Sequence, residues 1–138
     1  MATKIYRGDS TISSNCAYTY DDRKYIYRGD STSPSNCLYT WDGSKYIYKG
    51  DSTSSSNCLY TWNGKHLYKG DSTSSSNILF TWDGKHIYRG DSTSSSNILF
   101  TWNGKYIYQG NSTSSSNIRF TFESSLPPAL LILIATNA

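Results

Sequence analysis

The sequence predicts an all-β protein, a closed ring or shallow barrel of six β-hairpins. Three observations carry this expectation: a repeat of 20 or 21 residues, a hairpin turn within each repeat, and complementary half-hairpins at the two ends of the array.

The repeat is marked by Tyr6, Tyr27, Tyr48, Tyr68, Tyr88 and Tyr108, spaced 21, 21, 20, 20 and 20 residues apart. A glycine follows each tyrosine by two residues, at Gly8, Gly29, Gly50, Gly70, Gly90 and Gly110. An asparagine closes each linking segment, at Asn15, Asn36, Asn57, Asn77, Asn97 and Asn117.

Within a repeat, ILFTWDGKHIYR (residues 78–89) has the β-branched and aromatic content of a pleated ribbon. Asp83-Gly84 is a preferred pair for a two-residue hairpin turn, and Asn63-Gly64 and Asn103-Gly104 repeat it. The two longer repeats carry their extra residue here, in YDDRK and WDGSK, as an exposed tip tolerates. Such a turn sets Trp82 opposite Lys85, Thr81 opposite His86, Phe80 opposite Ile87 and Leu79 opposite Tyr88. One face then carries Ile78, Phe80 and Ile87, with Trp82 at the tip. The other carries Leu79, Thr81, His86 and Tyr88. The first is the expected core face, and its leading column is Cys16, Cys37, Cys58, Ile78, Ile98 and Ile118. Cysteine standing where other repeats place isoleucine reads as a small buried hydrophobe. A three-thiolate metal site at the ring centre would lack its fourth ligand. No metal and no cofactor are expected.

The chain starts with KIYRG (residues 4–8), a second hairpin arm without its first. The repeats end in NIRFTF (residues 117–122), a first arm without its second. Zipping the two together makes the sixth hairpin and removes both sheet edges. Between hairpins, the Asp, Ser, Thr and Asn of GDSTSSSN suit tight, side-chain-bonded turns. Residues 1–123 therefore read as the six-fold repeat domain and 124–138 as an apolar C-terminal segment. In that segment Pro127-Pro128 stops strand pairing, and ALLILIATNA is the one uninterrupted aliphatic run. Its expected place is a plug through the ring, against the Cys/Ile columns. The alternatives are an extra strand or a contact with another molecule.

The pattern YIYRGDSTSSSNILFTWDGK, of which HIYRGDSTSSSNILFTWNGK (residues 86–105) is one copy, resembles the β-flower proteins. These are bacterial repeat proteins whose short hairpins surround a shallow barrel. The resemblance spans residues 4–123. It implies a barrel somewhat like the Tubby C-terminal domain, with a helix through it, and it implies no activity and no functional residues.

The formal charge is +3, and the basic residues fall one or two to a repeat, which gives no reason to expect nucleic acid. MATKIYRGDS contains no apolar leader and the cysteine count is odd, so the expected compartment is the cytoplasm. The aliphatic run is shorter than the roughly 20 residues of a membrane-spanning helix.

Arg-Gly-Asp occurs at residues 7–9, 28–30 and 89–91, but the arginine exchanges with Lys49, Lys69 and Gln109 while glycine stays. That is the behaviour of a backbone turn rather than an adhesion signal. One aspartate per loop is too few for Ca²⁺. His66 and His86 share a column with Tyr25, Tyr46 and Tyr106 and have no asymmetric nucleophile to serve, so no enzyme is expected. The turn tips are more suggestive. Trp41, Trp62, Trp82 and Trp102 stand beside Lys45, Lys65, Lys85 and Lys105 in a multivalent rim. That rim would suit a glycan or a lipid headgroup at a membrane surface. The alternative function is structural, with self-assembly into a homo-oligomer through the apolar segment.

Overall fold

Every repeat turns its two hydrophobic stretches into two strands, and the twelve strands close on themselves. The computed structural model describes residues 2–136. The strands are β1 (Thr3–Arg7), β2 (Cys16–Tyr20), β3 (Tyr25–Arg28), β4 (Cys37–Trp41), β5 (Tyr46–Lys49), β6 (Cys58–Trp62), β7 (His66–Lys69), β8 (Ile78–Trp82), β9 (His86–Arg89), β10 (Ile98–Trp102), β11 (Tyr106–Gln109) and β12 (Ile118–Phe122). Each pairs antiparallel with its neighbours in sequence, and β1 pairs with β12 to complete the barrel. The closing pairs are Ile5 with Phe122, Tyr6 with Thr121 and Arg7 with Phe120. The sixth hairpin expected from the two orphan arms is therefore formed.

The turn falls one residue later than the sequence suggests. Phe80 pairs with Arg89, Thr81 with Tyr88 and Trp82 with Ile87. The Asp83 N–H donates to the His86 carbonyl at 3.3 Å, so Gly84 and Lys85 are the central residues. The cause is the Asp83 side chain. Its Oδ1 accepts the N–H of Lys85 at 2.9 Å and of His86 at 2.6 Å, winding the chain around the carboxylate. Gly84 takes φ +98°, open to glycine and strained for other residues. A two-residue slip preserves the two faces, so Phe80, Trp82 and Ile87 still share one side.

The Cys/Ile column is not on that side. β7 and β8 pair Leu67 with Phe80 but Tyr68 with Ile78, leaving one extra residue in β8. This bulge rotates the start of the strand, so Ile78 sits opposite an outward-facing tyrosine. The same irregularity recurs between β1 and β2, β3 and β4, β5 and β6, β9 and β10, and β11 and β12. The thiols of Cys16, Cys37 and Cys58 donate instead to the carbonyls of Tyr18, Tyr39 and Tyr60 at 3.4, 3.6 and 3.5 Å. The innermost column is Ile5, Ile26, Ile47, Leu67, Ile87 and Ile107, each 0% exposed.

These residues wrap the helix α1 (Pro128–Thr136). Pro128 opens it, where a missing N–H costs nothing, and the Pro127 carbonyl accepts from Leu130 and Leu131 at 3.0 Å each. A helix apolar on every side has only an interior to occupy. Leu130, Leu131, Ile132, Leu133 and Ile134 are all buried, each stabilising the fold by ~1.5–3 kcal/mol relative to exposure. The aliphatic run is thus the expected plug, seated on the Ile/Leu column instead of the Cys/Ile column. Asn137 and Ala138, the end of that run, lie outside the described residues.

The linking segments fold back over the outer wall. In one, Thr81 Oγ1 donates to the Gly90 carbonyl at 2.6 Å and accepts the Ser92 N–H at 3.3 Å. Ser92 Oγ accepts from the Ser94 N–H and from Asn97 Nδ2, which leads into a 3₁₀ turn over Ser95–Asn97. The serine-rich segment is an ordered petal whose side chains replace a missing strand ladder.

Candidate functional site

The barrel has two unlike ends. At the tip end are the turns, the start of α1 and the tryptophans. At the other end, the mouth, the strands of each repeat give way to the linking segments and α1 finishes.

The tryptophans are part of the core. Trp41 and Trp62 are 5% and 8% exposed, and Trp82 and Trp102 pack against the same cluster. Trp102 meets Phe122 edge-on, with ring centroids 5.0 Å apart. Their indole faces are covered by protein, as packing between petals requires. Lys45, Lys65, Lys85 and Lys105 remain exposed at the tips. Lys45 and Lys105 lie over the rings of Tyr46 and Tyr106 at 5.1 Å, not over tryptophan. The tip therefore brings the eight residues to one end but joins no indole face to an ammonium group.

The mouth holds a second set of repeated side chains. Arg7, Arg28, Lys49, Lys69 and Arg89 pair with Phe120, Tyr18, Tyr39, Tyr60 and Phe80, and Gln109 pairs with Phe100. Cross-strand partners share a face, and these aromatic rings pack on the core. Five cations and one amide therefore ring the inner edge of the mouth, all exposed, above an aromatic floor. Between β6, β7 and β8 that floor opens into an apolar hollow lined by Leu59, Tyr60, Lys69, Leu79 and Phe80.

The acids that follow Gly29 and Gly90 go elsewhere. Gly90 takes φ +66°, and the chain turns over the barrel edge there. Asp30 lies 3.1 Å from Lys4 Nζ, and Asp91 lies 3.2 Å from His66 Nε2, both on the outer wall. The His66 contact lacks hydrogen-bond geometry. Burial, with the charge of Asp51 adding to it, pushes the Cys37 thiol pKa up, and Asp71 does the same to Cys58. The glycine of Arg-Gly-Asp is a pivot that sends the cation inward and the carboxylate outward. The tripeptide is not presented as one epitope.

This ring was legible as a column of basic residues two positions beyond Ile26, Ile47, Leu67 and Ile87. Period-two alternation puts the two columns on one face. Reading the cations only as solvated turn flanks hides it.

His66 and His86 stand edge-on to Tyr68 and Tyr88 on the outer wall, with ring centroids 5.9 Å apart in each pair. His86 Nδ1 lies 3.3 Å from Asp83. No group of three or more His, Cys, Asp or Glu side chains placed to hold a metal ion occurs among the described residues.

A closed antiparallel barrel of six hairpins, pierced by one short apolar helix and fringed by closely similar loops, is a repeat barrel of flower-like symmetry. The family model described as "6-fold beta flower protein" matches residues 3–134, and the chain belongs to that family. No curated protein and no solved structure matches it.

Proposed function

We propose that this protein is a non-enzymatic binding module that sets its mouth against a membrane surface rich in anionic lipid headgroups. The supporting observation is charge segregation. Arg7, Arg28, Lys49, Lys69 and Arg89 face the mouth, while Asp30 and Asp91 lie on the outer wall. Each cation near an anionic surface contributes ~1 kcal/mol, so a ring of weak sites sums to useful avidity. The leucines between the cations give the same rim an apolar edge for the interface. Six nearly equal repeats supply no asymmetric acid–base pair, which favours binding over catalysis. The alternative of self-assembly through the apolar segment has less to draw on, because Leu130–Ile134 are enclosed by the barrel.

Vesicle sedimentation tests the reading. The protein should pellet with vesicles of phosphatidylcholine plus phosphatidylserine and stay in solution with phosphatidylcholine alone. Lys49→Gln/Lys69→Gln/Arg89→Gln should weaken binding by about a hundredfold, the equivalent of three such cations. The tip variant Lys45→Gln/Lys65→Gln/Lys85→Gln/Lys105→Gln should bind as the parent does. Equal pelleting with both vesicle types, or a larger loss from the tip variant, would overturn it.

A further inference from the structure

The mouth is not six-fold symmetric, and its irregularity is concentrated beside the seam between the chain's first and last strands. Four repeats place leucine after the Cys/Ile column, at Leu38, Leu59, Leu79 and Leu99. The two that flank the seam have Ala17 and Arg119 instead. A recess of about 760 Å³ opens at the mouth beside Ala17. Ala17, Tyr18, Phe120, Arg7, Arg28 and Arg119 are among the residues that line it.

We propose that this seam recess is a binding site for a single phosphomonoester group. The inference rests on the membrane reading above and narrows it to one headgroup chemistry at one place. Three arginines line one hollow, whereas Lys49, Lys69, Arg89 and Gln109 border the rest of the ring one at a time. Guanidinium carries a planar fork of donors that matches phosphate oxygens two at a time, which an ammonium does not. Among the described residues no carboxylate lies within ion-pair distance of the three arginines; the carboxylate contacts are those of Asp30 with Lys4, Asp91 with His66 and Asp83 with His86. Arg28 gives one Nη2 bond to Asn36 Oδ1 at 3.3 Å, which leaves its other donors for a ligand. A dianion answers three cations better than the singly charged phosphodiester of an ordinary lipid. The hollow is half apolar, walled by Tyr18, Phe120 and Ile134, so a phosphate there sits in lower dielectric than at the rim.

There is an internal competitor. The last turn of α1 reaches the same recess through Ile134, Ala135 and Thr136, and helix C-terminal carbonyls attract cations. The test must separate the two roles, and the repeats supply the variants. Ala17→Leu and Arg119→Leu each restore the residue that sibling repeats carry. The first narrows the hollow beside Tyr18 without touching charge.

Two sources of the chemistry are offered: vesicles containing phosphatidic acid, and glycerol 3-phosphate in solution read by calorimetry. The comparison vesicles contain phosphatidylserine at matched surface charge. The parent should prefer phosphatidic acid by at least tenfold. Ala17→Leu should abolish that preference while still binding phosphatidylserine as before, whereas Arg119→Leu should abolish it and also weaken phosphatidylserine binding by about fivefold, the share of one cation. Saturable heat with glycerol 3-phosphate, lost in Ala17→Leu, assigns the site to the ester itself; no heat, with the vesicle preference intact, assigns it to the lipid form. Equal binding to both charged vesicles by a parent that binds membranes overturns the recess but not the membrane reading. Failure to bind any charged vesicle overturns the membrane reading, and heat from glycerol 3-phosphate alone would then stand for the recess. An Arg119→Leu protein of lower thermal stability and unchanged phosphate preference overturns it too, because the arginine then serves the helix end.

Discussion

Ile5 and Phe122 lie opposite each other across the seam, in the positions that Ile87 and Trp82 hold in an internal hairpin. The closing hairpin thus has the geometry of its siblings without their covalent turn. Its polar fixings are also copied. Thr121 Oγ1 donates to the Gly8 carbonyl at 2.6 Å, as Thr81 does to Gly90. The Glu123 N–H donates to the Lys4 carbonyl at 3.0 Å, and the Lys4 N–H donates to the Glu123 carboxylate at 2.8 Å.

The seam should therefore be as tight as the interior. Ile5→Ala and Ile87→Ala are both expected to cost about 2–5 kcal/mol, since both side chains are fully enclosed. Urea unfolding of the two variants checks this. A cost at Ile5 far below that at Ile87 would mean that the ends part before the rest of the barrel unfolds.

The hydroxyl of Thr121 can be isolated from its bulk. Thr121→Val keeps the volume but leaves the Gly8 carbonyl without its partner. A loss of about 1–3 kcal/mol is expected, with thermal unfolding as the measurement. Thr81→Val offers the matched control inside the chain. Similar losses at both sites would show that the petal loop is anchored alike with and without a covalent turn nearby.

Much of this was legible in the residues, and the parts that were not share a cause. Closure could be read because KIYRG and NIRFTF are complementary halves of one repeating word. The plug could be read because an unbroken aliphatic run had nowhere else to hide. The register could not, because dipeptide rules for Asp-Gly describe backbone preference alone. Here the Asp83 side chain captures two N–H groups and shifts the turn. The face of Cys16, Cys37 and Cys58 was misplaced because strict alternation holds only until a bulge intervenes, and no single residue type announces one. The tryptophans look like a rim in a linear sequence. The pairing of Trp82 with Ile87 turns them inward.

That placement predicts what the tip tryptophans do. Trp41→Ala should destabilise the barrel by about 3–5 kcal/mol, because a large buried ring is removed from a packed interior. Substituting Lys45 by Gln should change stability by less than about 0.5 kcal/mol, as is usual for exposed positions. Denaturant titration of the two variants compares them directly. Equal, small effects would return the tryptophan to the surface.

The helix makes the strongest demand on the fold. Ile132 is 0% exposed at the centre of α1, and Ile132→Ala should cost about 2–5 kcal/mol. Removing residues 127–138 takes away every helix contact at once and leaves the inner isoleucines facing an empty channel. That chain should lose cooperative unfolding and bind a hydrophobic dye. A truncated protein that stays folded and dye-silent would show the barrel to be self-sufficient.

The turn at Asp83 predicts a pH dependence with a definite sign. Burial opposes ionisation of its carboxyl, but the N–H groups of His86 and Lys85 and the Tyr88 hydroxyl outweigh it. They hold the group well below the usual carboxylate range. Tyr88 donates to Asp83 Oδ2 at 2.7 Å, and that bond, with burial, pushes the tyrosine pKa up. A carboxyl whose folded pKa is depressed stabilises the fold fully above its unfolded value of about 3.9. The contribution fades as pH falls from there toward the folded value. Asn63 and Asn103 fill the same position with a side chain that does not titrate. Their Nδ2 donates to the hydroxyls of Tyr68 and Tyr108 at 2.9 Å, reversing the direction of the bond. Asp83→Asn should accordingly fold and keep the turn near neutrality. Between pH 7 and pH 3 it should lose less stability than the parent, as urea midpoints measured across that range would show. Parallel curves for the two proteins would mean that the carboxylate is no better held in the folded chain than in the unfolded one.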